Sequence, residues 1–429
     1  MDRDDPRVLD YIRNAWTAEP DLSYGKLAKR VNREFGLNFT RDAFKNWSRR
    51  RELKPNLQAS VQTNELDEAK AKLVERVERR KQRADLQRKA AVELFIDAFR
   101  DIAPTMPPLP KPTPPPPILG EYPPEDAILT ISDLHGGETL EEEETGGLGS
   151  FDWDMVMVYA NNLLAKLKAI IPRHNYNIPT LHVHSLGDIL TGMDIYPGQW
   201  NYAAIEEVEQ LLKCLELLTW FLLELLTIQP WRIVFKGVYG NHGRIGKKGE
   251  RRLFNNWDYA LYKLLEMRIG LCPEARDRVT FVIPKTWWLL TEIKGWKYLL
   301  MHGDDIRGWM GFPHYGMARH ARNWMMMLNR LQASDRLKKL VRNLGTFDEM
   351  EVGHHHHTRY DDDTGLRLWA NGAWPAGSLL SLKKMGTYSP PAQNFRGVSD
   401  ASSTSWYYEL LLDNPLPDEE AVLLETQPG

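Results

Sequence analysis

A layered α/β domain behind a small all-α module is the fold predicted by this 429-residue sequence. Three observations predict it. Eleven prolines crowd into residues 104–124. Before them, apolar residues recur at helical spacing between helix-capping residues; after them, strand-length apolar runs alternate with helical stretches. The length itself, at roughly 100–200 residues per domain, asks for more than one unit.

Composition narrows the class. At 42% hydrophobic and 26% charged, the chain has the material for a sizeable core, which excludes a disordered or fibrous protein. No apolar run reaches the roughly 18–20 residues that span a bilayer. The nearest, Leu211–Ile228, is broken by Lys213, Glu216 and Glu224. The polar start Met-Asp-Arg-Asp-Asp holds no secretory apolar region. Cys214 and Cys272 are too few for a disulfide framework and fit a reducing compartment, so a cytoplasmic, membrane-free location is expected. Residues 1–100 carry 23 Lys and Arg against 17 Asp and Glu, whereas the remainder carries 32 against 41. A basic front joined to an acidic rear suggests that the front meets a polyanion.

Residues 1–55 read as three short helices. Asp5 followed by Pro6 starts the first, with Leu9, Ile12 and Trp16 on one face. Ser23 caps a second, on which Leu27, Val31 and Phe35 recur every fourth residue and which Gly36 ends. Thr40 caps a third, with Phe44 and Trp47 inward and Arg41, Lys45, Asn46, Arg49, Arg50 and Arg51 outward. This pattern resembles a helix-turn-helix DNA-binding module, whose last helix would enter the major groove. The plainer alternative is a small bundle with a solvated basic face. Residues 56–103 read as one charged helix. Leu66, Leu73 and Val77 suggest a heptad that Lys81 and Ala84 weaken, so a homodimer through 61–100 and a solvated spacer are both open. Residues 104–124 form an extended, semi-rigid linker.

Residues 125–429 carry the α/β pattern. Strands are expected at Ala127–Ser132, Leu181–Leu186, Trp231–Tyr239, Tyr298–Met301 and Phe347–Val352, and helices at Met155–Ile171, Ile205–Ile228 and Trp257–Ile269. Residues 306–344 form a helical insert, and the part from Ala376 onward is expected to close the domain with strands. The strands end in Asp133-Leu-His135, Gly187-Asp188, Gly240-Asn241-His242, His302-Gly-Asp and Gly353-His354-His355-His356-His357. In such folds ligands gather at the carboxyl ends of strands. Hydrolysing a phosphate ester needs charge neutralised on the non-bridging oxygens and hydroxide near neutral pH. Two divalent cations sharing a carboxylate supply both. Imidazole and carboxylate together suit Mn, Fe or Zn. Asp-x-His alone is common; five such strand ends in order are a specific signal.

The ordered set, from Ala127 to Arg359, is similar to that of the calcineurin-like metallophosphoesterase superfamily, and Leu366–Trp369 with Asn371-Gly372 resembles its closing segment. The resemblance implies two β-sheets flanked by helices and a metal-dependent hydrolase. Carried over by motif, Asp133, His135 and His356 would hold one metal, Asn241, His302 and His354 the other, and Asp188 would bridge them. Mn2+ is the first expectation, Fe and Zn the alternatives. A metal-bridging water or hydroxide would attack phosphorus in line. His242, not a ligand in the family, would stabilise charge or protonate the leaving oxygen. Two departures stand out. Gly243 and Arg244 occupy the place where the family carries an acid after Gly-Asn-His, so whatever orients His242 must come from elsewhere or be absent. Arg244 is instead assigned to a substrate phosphate. Gly353 favours His354 and His356 as ligands, with His357 as the fallback. His182 and His184 read as core or sheet-face residues; Asp304 and Asp305 are either partners of the ligands or plain loop.

The accessory segments choose among phosphoesters, because fold does not. A DNA reader tethered to a diesterase raises the local concentration of a polymer substrate. DNA is therefore the expected partner and nuclease action the expected activity. The chain thus resembles the DNA-repair exonuclease branch and, in architecture, bacteriophage-encoded proteins, which would place it in a bacterial host's cytoplasm. The insert interleaves Trp309, Phe312, Tyr315, Arg319, Arg322, Trp324 and Arg330, either as a strand-binding groove or as a hairpin with Trp324, Met327 and Leu328 as core. Trp200, Trp287 and Trp288 read as core or rim. Two alternatives remain: a phosphomonoesterase or small-nucleotide phosphodiesterase that uses its front module only for localisation, and a DNA-binding interaction protein with a secondary metallo-domain.

Overall fold

The computed structural model describes residues 2–54, 123–173, 177–307, 312–332, 346–363, 365–376 and 388–414, together with Ile96 and Pro112. Apart from those two residues, the expected charged helix at 56–103 and the linker core lie outside the described residues, as do 308–311 (with Trp309) and 333–344 of the insert and 377–387 and 415–429 of the expected closing segment. Internal contacts divide the chain into Met1–Arg88 and Lys89–Gly429.

In the first unit, α1 (Pro6–Ala18), α2 (Tyr24–Phe35) and α3 (Arg41–Arg50) each begin on a side-chain cap. Asp5 accepts from the Arg7 amide, Ser23 from Lys26 and Thr40 from Ala43. Gly36 ends α2 at φ 64°, a left-handed backbone that costs a glycine nothing. Val8, Ile12, Trp16, Leu27, Val31 and Phe44 form the core, with Leu22, Phe39 and Leu53 added from the connections. Val8 rather than Leu9 takes the first inward position. The Asn32 side chain both accepts from the Phe39 amide and donates to its carbonyl, at 2.8 and 2.9 Å, pinning the α2–α3 turn. Arg41, Arg49, Arg50 and Arg51 are exposed.

The second unit contains strands β1 (Asp126–Ile131), β2 (Thr180–Ser185), β3 (Arg232–Gly237), β4 (Val279–Val282), β5 (Trp288–Ile293), β6 (Trp296–Met301), β7 (Glu349–Val352), β8 (Arg359–Asp363), β9 (Leu366–Ala370), β10 (Ala392–Val398) and β11 (Tyr407–Leu411). Its helices are α4 (Glu142–Thr145), α5 (Trp153–Arg173), α6 (Glu207–Ile228), α7 (Trp257–Gly270), α8 (Pro273–Arg276) and α9 (His314–Gln332). One sheet has the order β11-β10-β1-β2-β3-β4, with β1 to β4 parallel and β10 and β11 antiparallel additions. The other has the order β5-β6-β7-β9-β8. Helices α5, α6 and α7 bury Leu163, Leu167, Leu218, Leu225, Leu261 and Leu265 against the outer face of the first sheet. On α9, Met317, Ala321, Trp324 and Leu328 lie on one face and pack on Met350 and Leu368 of the second. Met327, expected in that core, is 42% exposed because it falls off this stripe. The inner faces of the sheets meet through Ile128, Leu186, Val238, Tyr298 and Leu300. The result is a helix–sheet–sheet–helix sandwich.

Polar groups are also enclosed between the sheets. Arg396 pairs with both Glu349 and Glu351, and Glu351 also accepts from His184 Nδ1 at 3.0 Å and from the Thr130 hydroxyl at 3.3 Å. His184 is thus part of the interior network, and His182 pairs with Asp126 at 3.2 Å. Burial drives both imidazoles down to about 4. Among the described residues, no helix is long and apolar enough to cross a membrane.

Candidate metal centre

Five strands deliver their carboxyl ends to one crevice, and the backbone there is unusual. Seven described non-glycine residues have positive φ, and five of them are Asp133, His135, Asp188, His354 and His356, at 51–63°. Such a conformation costs on the order of 1–3 kcal/mol per residue and persists only where the surroundings impose it. It turns each chain sharply after its strand, so that side chains one or two residues apart point into the same space. The glycines of Gly187-Asp188 and Gly240-Asn241 serve close approach. A Cβ on Gly187 would lie 2.2 Å from the Gly240 nitrogen, and one on Gly240 would lie 2.1 Å from Asp188 Oδ1.

The side chains converge in three overlapping sets: Asp133, His135 and His356; His135, Asp188 and His242; and Asp188, His302 and His354. Within each set, the donor atoms lie within 4.8 Å of one another. His135 Nε2 and His356 Nε2 are 3.2 Å apart, and His356 Nε2 is 3.4 Å from Asp133 Oδ1. His302 Nε2 is 2.9 Å from Asp188 Oδ2 and 3.1 Å from Asn241 Oδ1. His302 Nδ1 donates to the Leu186 carbonyl at 2.8 Å, so Nε2 faces the crevice and is the nitrogen that would carry the lone pair once its proton is displaced by a metal. His355 and His357 turn to Phe312 instead, with ring centroids 5.7 and 6.1 Å away.

Electrostatics favour a cation here. Burial works against a charged His302, yet the Asp188 carboxylate and its hydrogen bond outweigh it and lift the imidazole to about 10. Asp188 lies well below the ordinary carboxylate range despite burial, because His302 and His242 surround it. Imidazole nitrogens, two carboxylates and an amide oxygen are a donor set that fits divalent transition metals.

Several residues that hold this arrangement were not singled out in the sequence. Asp258, in the first turn of α7, accepts backbone hydrogen bonds from Asp188 (2.9 Å), Ile189 (3.1 Å), Leu190 (3.4 Å) and Gly240 (2.9 Å). It therefore ties the second and third motif loops together. Its own carboxyl rises to about 6 through burial and the charge of Asp188. Asn256 caps α7 and donates to the Gly240 carbonyl at 2.7 Å. Glu138, buried 3.5 Å from His135 Nδ1, is pushed up to about 7 by burial. Among the described residues, no acidic side chain hydrogen-bonds the His242 ring. Its Nδ1 donates to the Thr191 carbonyl at 2.7 Å, an oxygen that also accepts from Gln199 at 2.7 Å. A backbone carbonyl thus holds Nδ1, which leaves Nε2 turned to the cluster.

Arg244 lies at the cluster's edge, its guanidinium bonded to the carbonyls of Gly246 and Ile195 at 3.3 and 3.4 Å. Trp200 and Trp287 are exposed, while Trp288 packs edge-on against Trp324 at 4.9 Å. Asp304 stands 3.9 Å from Lys248.

No protein-family model matches this chain, and no curated protein matches it. Solved structures similar to it include vacuolar protein sorting 29 from Cryptosporidium parvum, at 15% identity and a TM-score of 0.28 over 67% of this chain and 98% of that one. An archaeal phosphodiesterase is 12% identical, with a TM-score of 0.27 over 66% of this chain and 99% of its own. A predicted phosphoesterase from Streptococcus pneumoniae is 13% identical, with a TM-score of 0.25 over 68% of this chain and 94% of its own. Likenesses this slight have no bearing on substrate or activity.

Proposed function

We propose that this protein is a two-metal phosphodiesterase that cuts DNA. One observation carries the hydrolase reading: Asp188 belongs both to a cluster with His135 and to one with His302 and His354. Asp133, His135 and His356 would hold one divalent cation, Asn241, His302 and His354 the second, and Asp188 both, with Mn2+ as the first choice and Fe or Zn as the alternatives. Such a pair would neutralise charge on the phosphate and bring the pKa of a water towards 7.

The chain's own residues do the rest. Asp258 and Asn256 hold the loops of Asp188 and Asn241 in register. Thr191 accepts from His242 Nδ1–H and so aims Nε2 at the crevice; once the ring has taken up a second proton, Nε2–H can stabilise developing charge or give that proton to the leaving oxygen. Arg244 offers a guanidinium to a phosphate oxygen. DNA as the substrate is supported by the three-helix unit with its exposed Arg41, Arg49, Arg50 and Arg51, read as a helix-turn-helix-like module.

The test is incubation of the full chain with end-labelled single- and double-stranded DNA, with and without Mn2+, beside Asp188→Ala. The expected result is Mn2+-dependent cleavage that falls to background in the variant. Losing several kcal/mol of transition-state charge stabilisation is worth roughly 10³-fold at 1.36 kcal/mol per decade. Intact DNA alongside wild-type turnover of a small aryl phosphoester would refute the nuclease reading and leave the phosphoesterase.

A further inference from the structure

Beside the metal cluster lies a cavity of about 90 Å³ whose wall includes Asn241, and around it stand Arg244, Lys248, Arg251 and Arg252. Only Asp304 and Asp305 oppose them in the lining, so the walls hold four cations against two acids. The cations come from one stretch, Arg244 to Arg252, inserted between Gly-Asn-His and the start of α7; Lys247 belongs to it as well, and Glu250 is its single acid. Lys248 reaches Asp304 only at 3.9 Å, and the guanidinium of Arg244 is satisfied by backbone carbonyls rather than by a carboxylate. At the mouth stand two apolar side chains in solvent, Trp287 at 40% exposure and Leu253 at 59%.

This arrangement is hard to explain by stability alone. Like charges packed together repel, and the proposed divalent cations next door would repel them further. Exposed apolar side chains beside clustered cations likewise gain nothing without a ligand. A nucleotide supplies both complements: a phosphate for the guanidinium and ammonium groups, and a base or sugar face for the indole. We propose that the cavity is a second phosphate subsite. It would hold the phosphate of the nucleotide next to the one being cut, with Trp287 against that nucleotide's base. The subsite rests on the phosphodiesterase reading for its neighbour but makes its own claim: the site reads two consecutive phosphates across one sugar.

Calorimetric titration of the Mn2+-loaded full chain tests this with ligands that contain no diester bond. Thymidine 3′,5′-bisphosphate is expected to bind at least tenfold tighter than thymidine 5′-phosphate. In Lys248→Ala/Arg252→Ala, both surface positions, that gain should vanish while monophosphate affinity stays within twofold. Equal affinities in the wild type, or a gain kept in the double variant, overturn the subsite. Thymidine 5′-diphosphate separates a strand from a nucleoside polyphosphate: if it binds tighter than the 3′,5′-bisphosphate, the strand reading fails. Hydrolysis of these monoesters would count against the nuclease proposal instead, and is read separately as released inorganic phosphate.

Discussion

The three-helix unit and the two-sheet unit treat charge in opposite ways. Among the described buried residues of the first, only Ser48 is polar, and the ion pairs, such as Arg30 with Glu19, sit in solvent. The second buries Asp133, Asp188, Asp258, Lys236, Glu349, Glu351 and Arg396. Burying an ion costs several kcal/mol unless a partner compensates it, so the second unit gives up stability that the first keeps. Partners then divide its charges into two kinds. Between the sheets, Glu349 and Glu351 share Arg396, a self-contained network. At the strand ends, the ion pairs of Asp133 and Asp188 are with histidines, which are uncharged when they act as ligands. The first kind is neutralised within the sandwich; the second lines the candidate metal centre.

Asp258 offers the sharpest test of that division, because it sits behind the second kind without facing substrate. Asp258→Ala strips the acceptor from four backbone amides, at about 1–3 kcal/mol for each group left unsatisfied, partly recovered by water. It should also cost roughly 10–100-fold in Mn2+ affinity or kcat/KM. Asp258→Asn keeps an acceptor oxygen and should fall between the two. Wild-type Mn2+ affinity and melting in the alanine variant would show that the loops hold themselves.

A pH series probes the network between the sheets. All twelve histidines lie at or beyond His135, and none is in the three-helix unit. His182 and His184 have folded pKa values of about 4 against an ordinary 6.5. Between pH 6.5 and 4 the unfolded chain therefore binds more protons than the folded one, and stability falls as pH falls. Glu351, held near 2 against 4.5 because Arg396 and His184 outweigh the cost of burying it, adds a further loss below 4.5. In calorimetry of the full chain, the transition of the two-sheet unit should drop by a few kcal/mol of stability from pH 6.5 to 4. The three-helix transition should hold until the carboxylates titrate. If both fall in parallel, buried histidine is not the cause.

The sequence makes the strands and the five motifs legible because each apolar run ends in a residue type that packing does not require. His354 and His356 stand with His302 and Asp133 respectively, while His355 turns to Phe312. Asp258 was not legible, since its role exists only once the first turn of α7 meets two distant loops. Thr191 acts through its carbonyl, which no side-chain pattern can announce. The cationic stretch after His242 was written plainly as Arg-Ile-Gly-Lys-Lys-Gly-Glu-Arg-Arg, yet only the structure brings it beside Asn241. The edge strands β8 and β11 alternate too little for a period to show, with Asp361 to Asp363 filling most of β8.

The smallest effect tests the independence of the two units. Thr40 accepts from the Ala43 amide at 3.2 Å and starts the basic helix α3. Thr40→Ala removes that acceptor at a cost of about 1 kcal/mol. In a unit of this size, 1 kcal/mol lowers the melting temperature by roughly 4–8 °C. Thr40 lies in the first unit and supplies no group to the metal cluster, so Mn2+-dependent turnover of a small aryl diester should be unchanged, whereas cutting of long DNA should weaken if α3 reads it. A parallel loss on both substrates would mean that the first unit supports the site itself, and the contrast between an apolar-cored three-helix unit and a charge-burying two-sheet unit would then describe one cooperative structure.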